Sequence, residues 1–226
     1  MFHMSSPLRV IIGGTLWASA VALVFAADFS PARLVSGSAP QMPVNVVGWT
    51  DVRLELEVGE NGQSYRTVGL RATPGALPLI EPVVGSWTFR PAEYLSRRAT
   101  SAVLVVTMFR PPQLFDNAPG GSPPVDLAPP SEAVPYPTLE TLPKYPPNAI
   151  VDGVVVVEVL VGVDGKVEEA TVIGSAAGFD SAALDAARGW GFRPARYRGE
   201  PVPAYAYLVF GFRAPVTGGS PFPGFE

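Results

Sequence analysis

The string Trp87-Thr88-Phe89-Arg90-Pro91-Ala92 returns as Trp190-Gly191-Phe192-Arg193-Pro194-Ala195, an offset of 190 − 87 = 103 residues. With that offset held fixed, Asn61-Gly62 falls on Asp164-Gly165 and Gly75 on Gly178. Tyr94 falls on Tyr197 and Phe109-Arg110 on Phe212-Arg213, with no gap needed between Val52 and Pro112. Self-similarity sustained over such a span reads as two copies of one unit.

Each copy reads as strand, turn, strand, helix, strand. Val155, Val157, Val159, Val161 and Val163 share one face of a strand in the second copy. In the first, Val52, Leu54, Leu56 and Val58 point to a core, and Arg53, Glu55 and Glu57 to water. Asn61-Gly62 and Asp164-Gly165 are expected to be type I′ hairpin turns, with φ > 0 at both positions. A helix over about 180–189 buries Phe179, Ala182 or Ala183, Ala186 and Trp190; Leu79 or Ile80, Val83 and Trp87 hold those places in the first copy. Pro78 and Pro82 predict a shorter or distorted helix there, since a proline inside a helix costs about 3 kcal/mol.

In the last strand Ala204, Ala206, Leu208, Phe210 and Phe212 alternate with Tyr205, Tyr207 and Val209, so both faces are apolar. One helix covers one face, and the other must meet the sister copy or a partner. The expected fold is α+β: two tandem β-β-α-β modules, each a three-stranded antiparallel sheet backed by one helix. Their final strands, Ala102–Phe109 and Tyr205–Phe212, are packed together or joined edge to edge.

The 226 residues contain no cysteine, one histidine (His3), 26 prolines and 23 glycines, with a formal net charge of −4. No thiolate nucleophile or thiolate zinc site is available, and the chain beyond His3 lacks the usual general base. Glu168-Glu169 and Asp180 do not form a catalytic carboxylate pair, because the first two point to opposite faces and the third sits at a helix start. We therefore expect no enzyme, no catalytic residue, no metal and no cofactor. The acidic balance argues against nucleic acid. The cluster Arg188, Arg193, Arg196 and Arg198 reads as a solvated face.

Residues 1–27 read as a signal peptide or an N-terminal membrane anchor, since Val10 to Ala27 carry no charge and Val24-Phe25-Ala26 offers a cleavage pattern. The chain then divides into a linker (28–44), the first module (45–112), a Pro-rich linker (113–144), the second module (145–215) and a flexible tail (216–226). Val125, Leu127, Leu139 and Leu142 are too many apolar residues for a purely solvated spacer.

Tyr145-Pro146-Pro147-Asn148-Ala149, the Val-rich strand, Asp164-Gly165-Lys166-Val167, Ser175, Leu184, Trp190-x-Phe192-x-Pro194-Ala195 and Gly199-x-Pro201-Val202 together resemble the TonB C-terminal domain. The resemblance covers about 143–213. The first module looks like a diverged copy without the Tyr-Pro start or the Gly-x-Pro-Val step.

The resemblance implies a periplasmic domain that grips outer-membrane transporters by β-strand addition and supports nutrient uptake with energy from an ExbB–ExbD-type complex. It places partner contact on Ala204, Tyr205, Ala206, Tyr207, Leu208 and Val209, with Tyr145 and Pro146 nearby. The chain departs from the family in having no histidine in residues 10–27 and only a short spacer after them, which puts the ExbB–ExbD partnership in doubt. The alternative is a non-energised cell-envelope scaffold or interaction module, with a homodimer as one form. Localisation is the inner membrane, single-pass with periplasmic domains, or the periplasm after signal cleavage.

Overall fold

The computed structural model describes residues 28–41, 50–109, 122–147, 149 and 151–214. The apolar stretch 10–27 and the tail 216–226 lie outside the described residues. Two short strands come first, β1 (Phe29–Ser30) and β2 (Arg33–Ser36). A hairpin follows, β3 (Thr50–Val58) and β4 (Ser64–Ala72), then helix α1 (Leu77–Gly85). Three short strands, β5 (Thr88–Arg90), β6 (Ala92–Tyr94) and β7 (Arg97–Ala99), lead into the long β8 (Ser101–Phe109).

The second half opens with β9 (Val125–Asp126) and β10 (Tyr136–Leu139), then the hairpin β11 (Gly153–Val161) and β12 (Val167–Gly174) and helix α2 (Asp180–Arg188). It ends with β13 (Gly191–Arg193), β14 (Ala195–Tyr197), β15 (Glu200–Val202) and β16 (Ala204–Phe212). The chain is thus mixed α+β.

The long strands form one seven-stranded sheet in the order β12-β11-β16-β8-β3-β4-β9. All neighbours are antiparallel except the central pair, where β16 and β8 run parallel from Ala206↔Leu104 to Gly211↔Phe109. The two final strands are joined edge to edge. Their double-sided apolarity follows from this position, because a central strand is covered on both faces. On one face Ile80, Val84 and Trp87 pack with Leu54, Val105 and, across the seam, Val156, Tyr207 and Val209. On the other, Phe179, Ala183 and Trp190 pack with Val157, Leu208 and, across the seam, Leu104, Val106 and Met108. Each helix packs on its own half's hairpin, α1 on β3 and β4 and α2 on β11 and β12, and the two lie on opposite faces of the sheet.

Several expectations are corrected. Arg53 and Glu55 do not face water but are buried, because residues 131–141 lie over that face of β3. Asp51 bridges Arg53 (2.9 Å) and Arg71 (3.0 Å), and Arg53 also meets Glu140 at 2.9 Å, so the buried charges are matched. Helix α1 is not shorter than α2. Both have nine residues, and α1 runs through Pro82. Burial of Ile80 and Val84 holds that short helix despite the lost amide, and Pro78 sits in the first turn, where no donor is needed.

The long hairpins do not use type I′ turns. Only Gly62 and Gly165 have positive φ there (80° each), closing three-residue loops in which Gly59 N and Gly162 N bond Gln63 O and Lys166 O. Turns with φ > 0 at both positions occur instead at Leu95-Ser96, between β6 and β7, and at Arg198-Gly199, between β14 and β15. Residues expected as linker contribute strands as well. β2 pairs with β5 (Arg33↔Arg90) and β10 with β13 (Tyr136↔Arg193), again 103 residues apart.

At Gly165 a side chain would have to take φ +80° and would also run into the Phe192 carbonyl, whereas Gly178 (φ +88°) has open space. Gly165→Ala should cost about 2 kcal/mol or more, lowering Tm by roughly 4–8 °C, with Gly178→Ala costing less. Thermal melts of the two variants check this.

Candidate partner-binding site

Partner contact was expected on β16, whose placement gives it no free edge. On one side it pairs with β11 from Gly153↔Phe212 to Val161↔Ala204, and on the other with β8. Ala204, Ala206, Tyr207, Leu208 and Val209 are buried. Tyr205 is half-buried beneath the Arg33 guanidinium, 5.2 Å from its ring centre. Strand addition at this edge would require β8 to leave.

Tyr207 is instead an internal tie. Its ring stands edge-on to Trp87 (5.7 Å) and Phe89 (6.2 Å) of the first half. Its hydroxyl donates to Glu158 Oε2 (3.1 Å) and accepts from Leu34 N (2.6 Å). Burial pushes the phenol's pKa far up, so it stays a donor. Glu158 also takes Arg33 at 2.8 Å. Glu55, which is 158 − 55 = 103 residues earlier, is bound by Ser131 N (3.0 Å) and Ser131 Oγ (2.5 Å). Each half's leading arm thus crosses to the other half and binds its buried carboxylate.

Tyr145 and Pro146 lie elsewhere. The Tyr145 ring packs on Phe179 (5.6 Å) and Phe212 (6.4 Å), and its hydroxyl donates to Val151 O (3.1 Å). With Pro146 it lines a groove of about 470 Å³ against α2, bounded by Thr141, Ser181 and Asp185. This is the Phe212 end of β16, roughly 26 Å along the strand from Ala204 at ~3.3 Å per residue. The expected residues do not converge on one site.

The arginine cluster is dispersed as well. Arg193 donates to Ser131 O and Val134 O, Arg196 to Gly199 O, and Arg198 lies over Tyr94 and Tyr197. The two arms went unread in the sequence because Arg33-Leu34-Val35-Ser36 and Tyr136-Pro137-Thr138-Leu139 share no residue at the 103 offset. Among the described residues no group of His, Asp and Glu could hold a metal ion, and no helix is long and apolar enough to cross a membrane.

The arrangement is an α+β body whose two halves share one seven-stranded sheet. Residues 141–213 match the family model for the Gram-negative bacterial TonB protein C-terminal. That segment, β11 to β16 with the residues leading into them, is about a third of the chain. No curated protein and no solved structure matches the chain.

Replacing Tyr207 by Phe removes two hydrogen bonds and leaves Leu34 N–H without its acceptor. Tyr207→Phe should cost about 1–3 kcal/mol. Tyr205→Phe, on the same strand, should stay within about 0.5 kcal/mol. Denaturant melts of both check this.

Proposed function

We propose that the chain is a TonB-like protein of the cell envelope that contacts an outer-membrane transporter in support of nutrient uptake. In this reading the contact is made as a pre-assembled body of two like halves, the first a diverged copy of the second. The observation that carries the reading is the family match over 141–213. The recurrence of turns, arm strands and bulges at one 103-residue offset supports the two-copy part of it. The body lies in the periplasm, behind a signal or anchor in residues 1–27. Residues 10–27 hold no histidine, so proton-driven coupling through an ExbB–ExbD-type complex is not part of the reading.

A second reading, a static envelope scaffold, is favoured by one specific observation. The β16 edge is filled by β8, with apolar side chains buried on both faces of the seam.

The chain contains no cysteine, so the seam can be locked cleanly. Thr107 and Val209 are register partners, and the double variant Thr107→Cys/Val209→Cys should form a disulfide across β8 and β16. In-cell photo-crosslinking from Tyr145 is expected to capture a transporter with the seam locked or open. Loss of capture on locking would mean that the partner displaces β8. Absence of transporter from either form, with the protein folded and exported, would leave the scaffold reading.

A further inference from the structure

The two hairpins of the large sheet have the same construction and unequal surroundings. Both carry a bulge at the same place, Leu70 on β4 and Ile173 on β12, and 173 − 70 = 103. Leu70 is 1% exposed, whereas Ile173 is 42% exposed. Leu70 is packed in a core cluster with Val134, and a strap runs along the edge of its strand. Beside Leu70, β9 pairs with the outer edge of β4 (Arg71↔Asp126, Ala72↔Val125). Leu127 N and Ala128 N then donate to the Leu70 carbonyl at 2.8 and 3.3 Å.

Among the described residues β12 has no such neighbour, and none pairs with its outer row of backbone groups. Next to it lies a groove of about 340 Å³ bounded by Val35, Gly37, Trp87, Val156, Ile173 and Gly174.

We propose that the outer edge of β12, from Glu169 to Gly174, is a strand-addition site for an extended segment of a partner protein. That segment would carry an apolar residue for the Ile173 groove and a basic residue for Glu169. The molecule itself supplies the backbone precedent at β4, where the short extended piece 125–128 pairs with the strand's outer edge. Charge completes the specification. At β4 the strap's acidic Asp126 meets Arg71 at 2.6 Å. β12 instead carries Glu168 and Glu169, both exposed and in no ion pair among the described residues, so an acidic segment is disfavoured.

The strap's counterpart at the 103 offset is Ala22 to Phe25, inside the uncharged stretch expected to be a signal or anchor, and its pairing with β12 is an outcome of the test below. This proposal goes beyond the transporter reading and does not depend on it.

The test uses the full chain and a synthetic peptide, Pro-Pro-Val-Thr-Leu-Ala-Thr-Val-Thr-Lys, which follows 123–128 with Asp replaced and a basic end added. Fluorescence polarisation of the labelled peptide should show saturable binding. Binding should weaken at least about tenfold with Ile173→Asp and several-fold when the peptide's Lys becomes Glu. A photoreactive group at the peptide's Leu should crosslink to residues 171–175. The charge swap Glu169→Lys should reverse the preference between Lys and Glu peptides, a readout that misfolding does not produce.

The proposal is overturned by no saturable binding up to about 1 mM peptide, or by crosslinks on β8 or β16. It is also overturned if a photoreactive residue placed at position 173 crosslinks to residues 22–25 of its own chain or to β12 of a second copy.

Discussion

Everything else in the molecule follows from the parallel contact between β8 and β16. A three-stranded sheet backed by one helix has a bare face and a bare edge, and both final strands are apolar on both faces. Exposed, each would be a template for aggregation. Joining the two edges in parallel makes both strands central, and it places the helices on opposite faces of one sheet. A helix then covers its own half on one face while an arm closes the other, as residues 131–141 do over β3. Burying a Val, Leu or Phe side chain is worth roughly 1.5–3 kcal/mol, and the seam buries several on each face. Gly211, next to Phe109 across it, is held to glycine by the Phe109 ring, which occupies the space a side chain would need.

The seam leaves polar positions on the outer strands that must be closed over, and the arms do this. Glu55 and Glu158 sit at matching places, each 5% exposed, and an unpaired carboxylate there would be costly. Each is bound by the arm of the other half, through Ser131 in one case and Arg33 with Tyr207 in the other. The solutions differ although the positions match. The side chains differ while the backbone paths match, as in the pairing of β2 with β5 and of β10 with β13. The halves are therefore interdependent: each arm begins beside the other half's carboxylate and ends on its own short strand.

What the sequence reveals is what rests on local periodicity and on residues that only one geometry tolerates. The strand alternation of Val155 to Val161, the helix face of Phe179, Ala183 and Trp190, and the two glycine turns were legible for that reason. The arms were not, because an extended segment held by backbone bonds needs no particular side chains, and prolines are acceptable in it. Arg53 and Glu55 misled for a related reason. A charged residue on alternate strand positions normally marks water, and only the long-range approach of residues 131–141 converts that face into an interior. The expected site on β16 was legible as a strand and as apolar, but whether its edge is free depends on a neighbour more than 100 residues away.

That dependence bears directly on function. Here the edge of β16 is filled by β8, from the first half of the same chain. The filling strand here is parallel, in a pairing slightly less stable per residue than an antiparallel one, yet it is covered on both faces, so leaving would expose apolar surface on both halves at once. A partner competing for β16 would have to offset that loss as well as supply its own pairing. A partner meeting the outer edge of β12 would displace no strand among the described residues, and the apolar Ile173 beside that edge is 42% exposed. On energetic grounds the outer edge of β12 is the better site for a new strand.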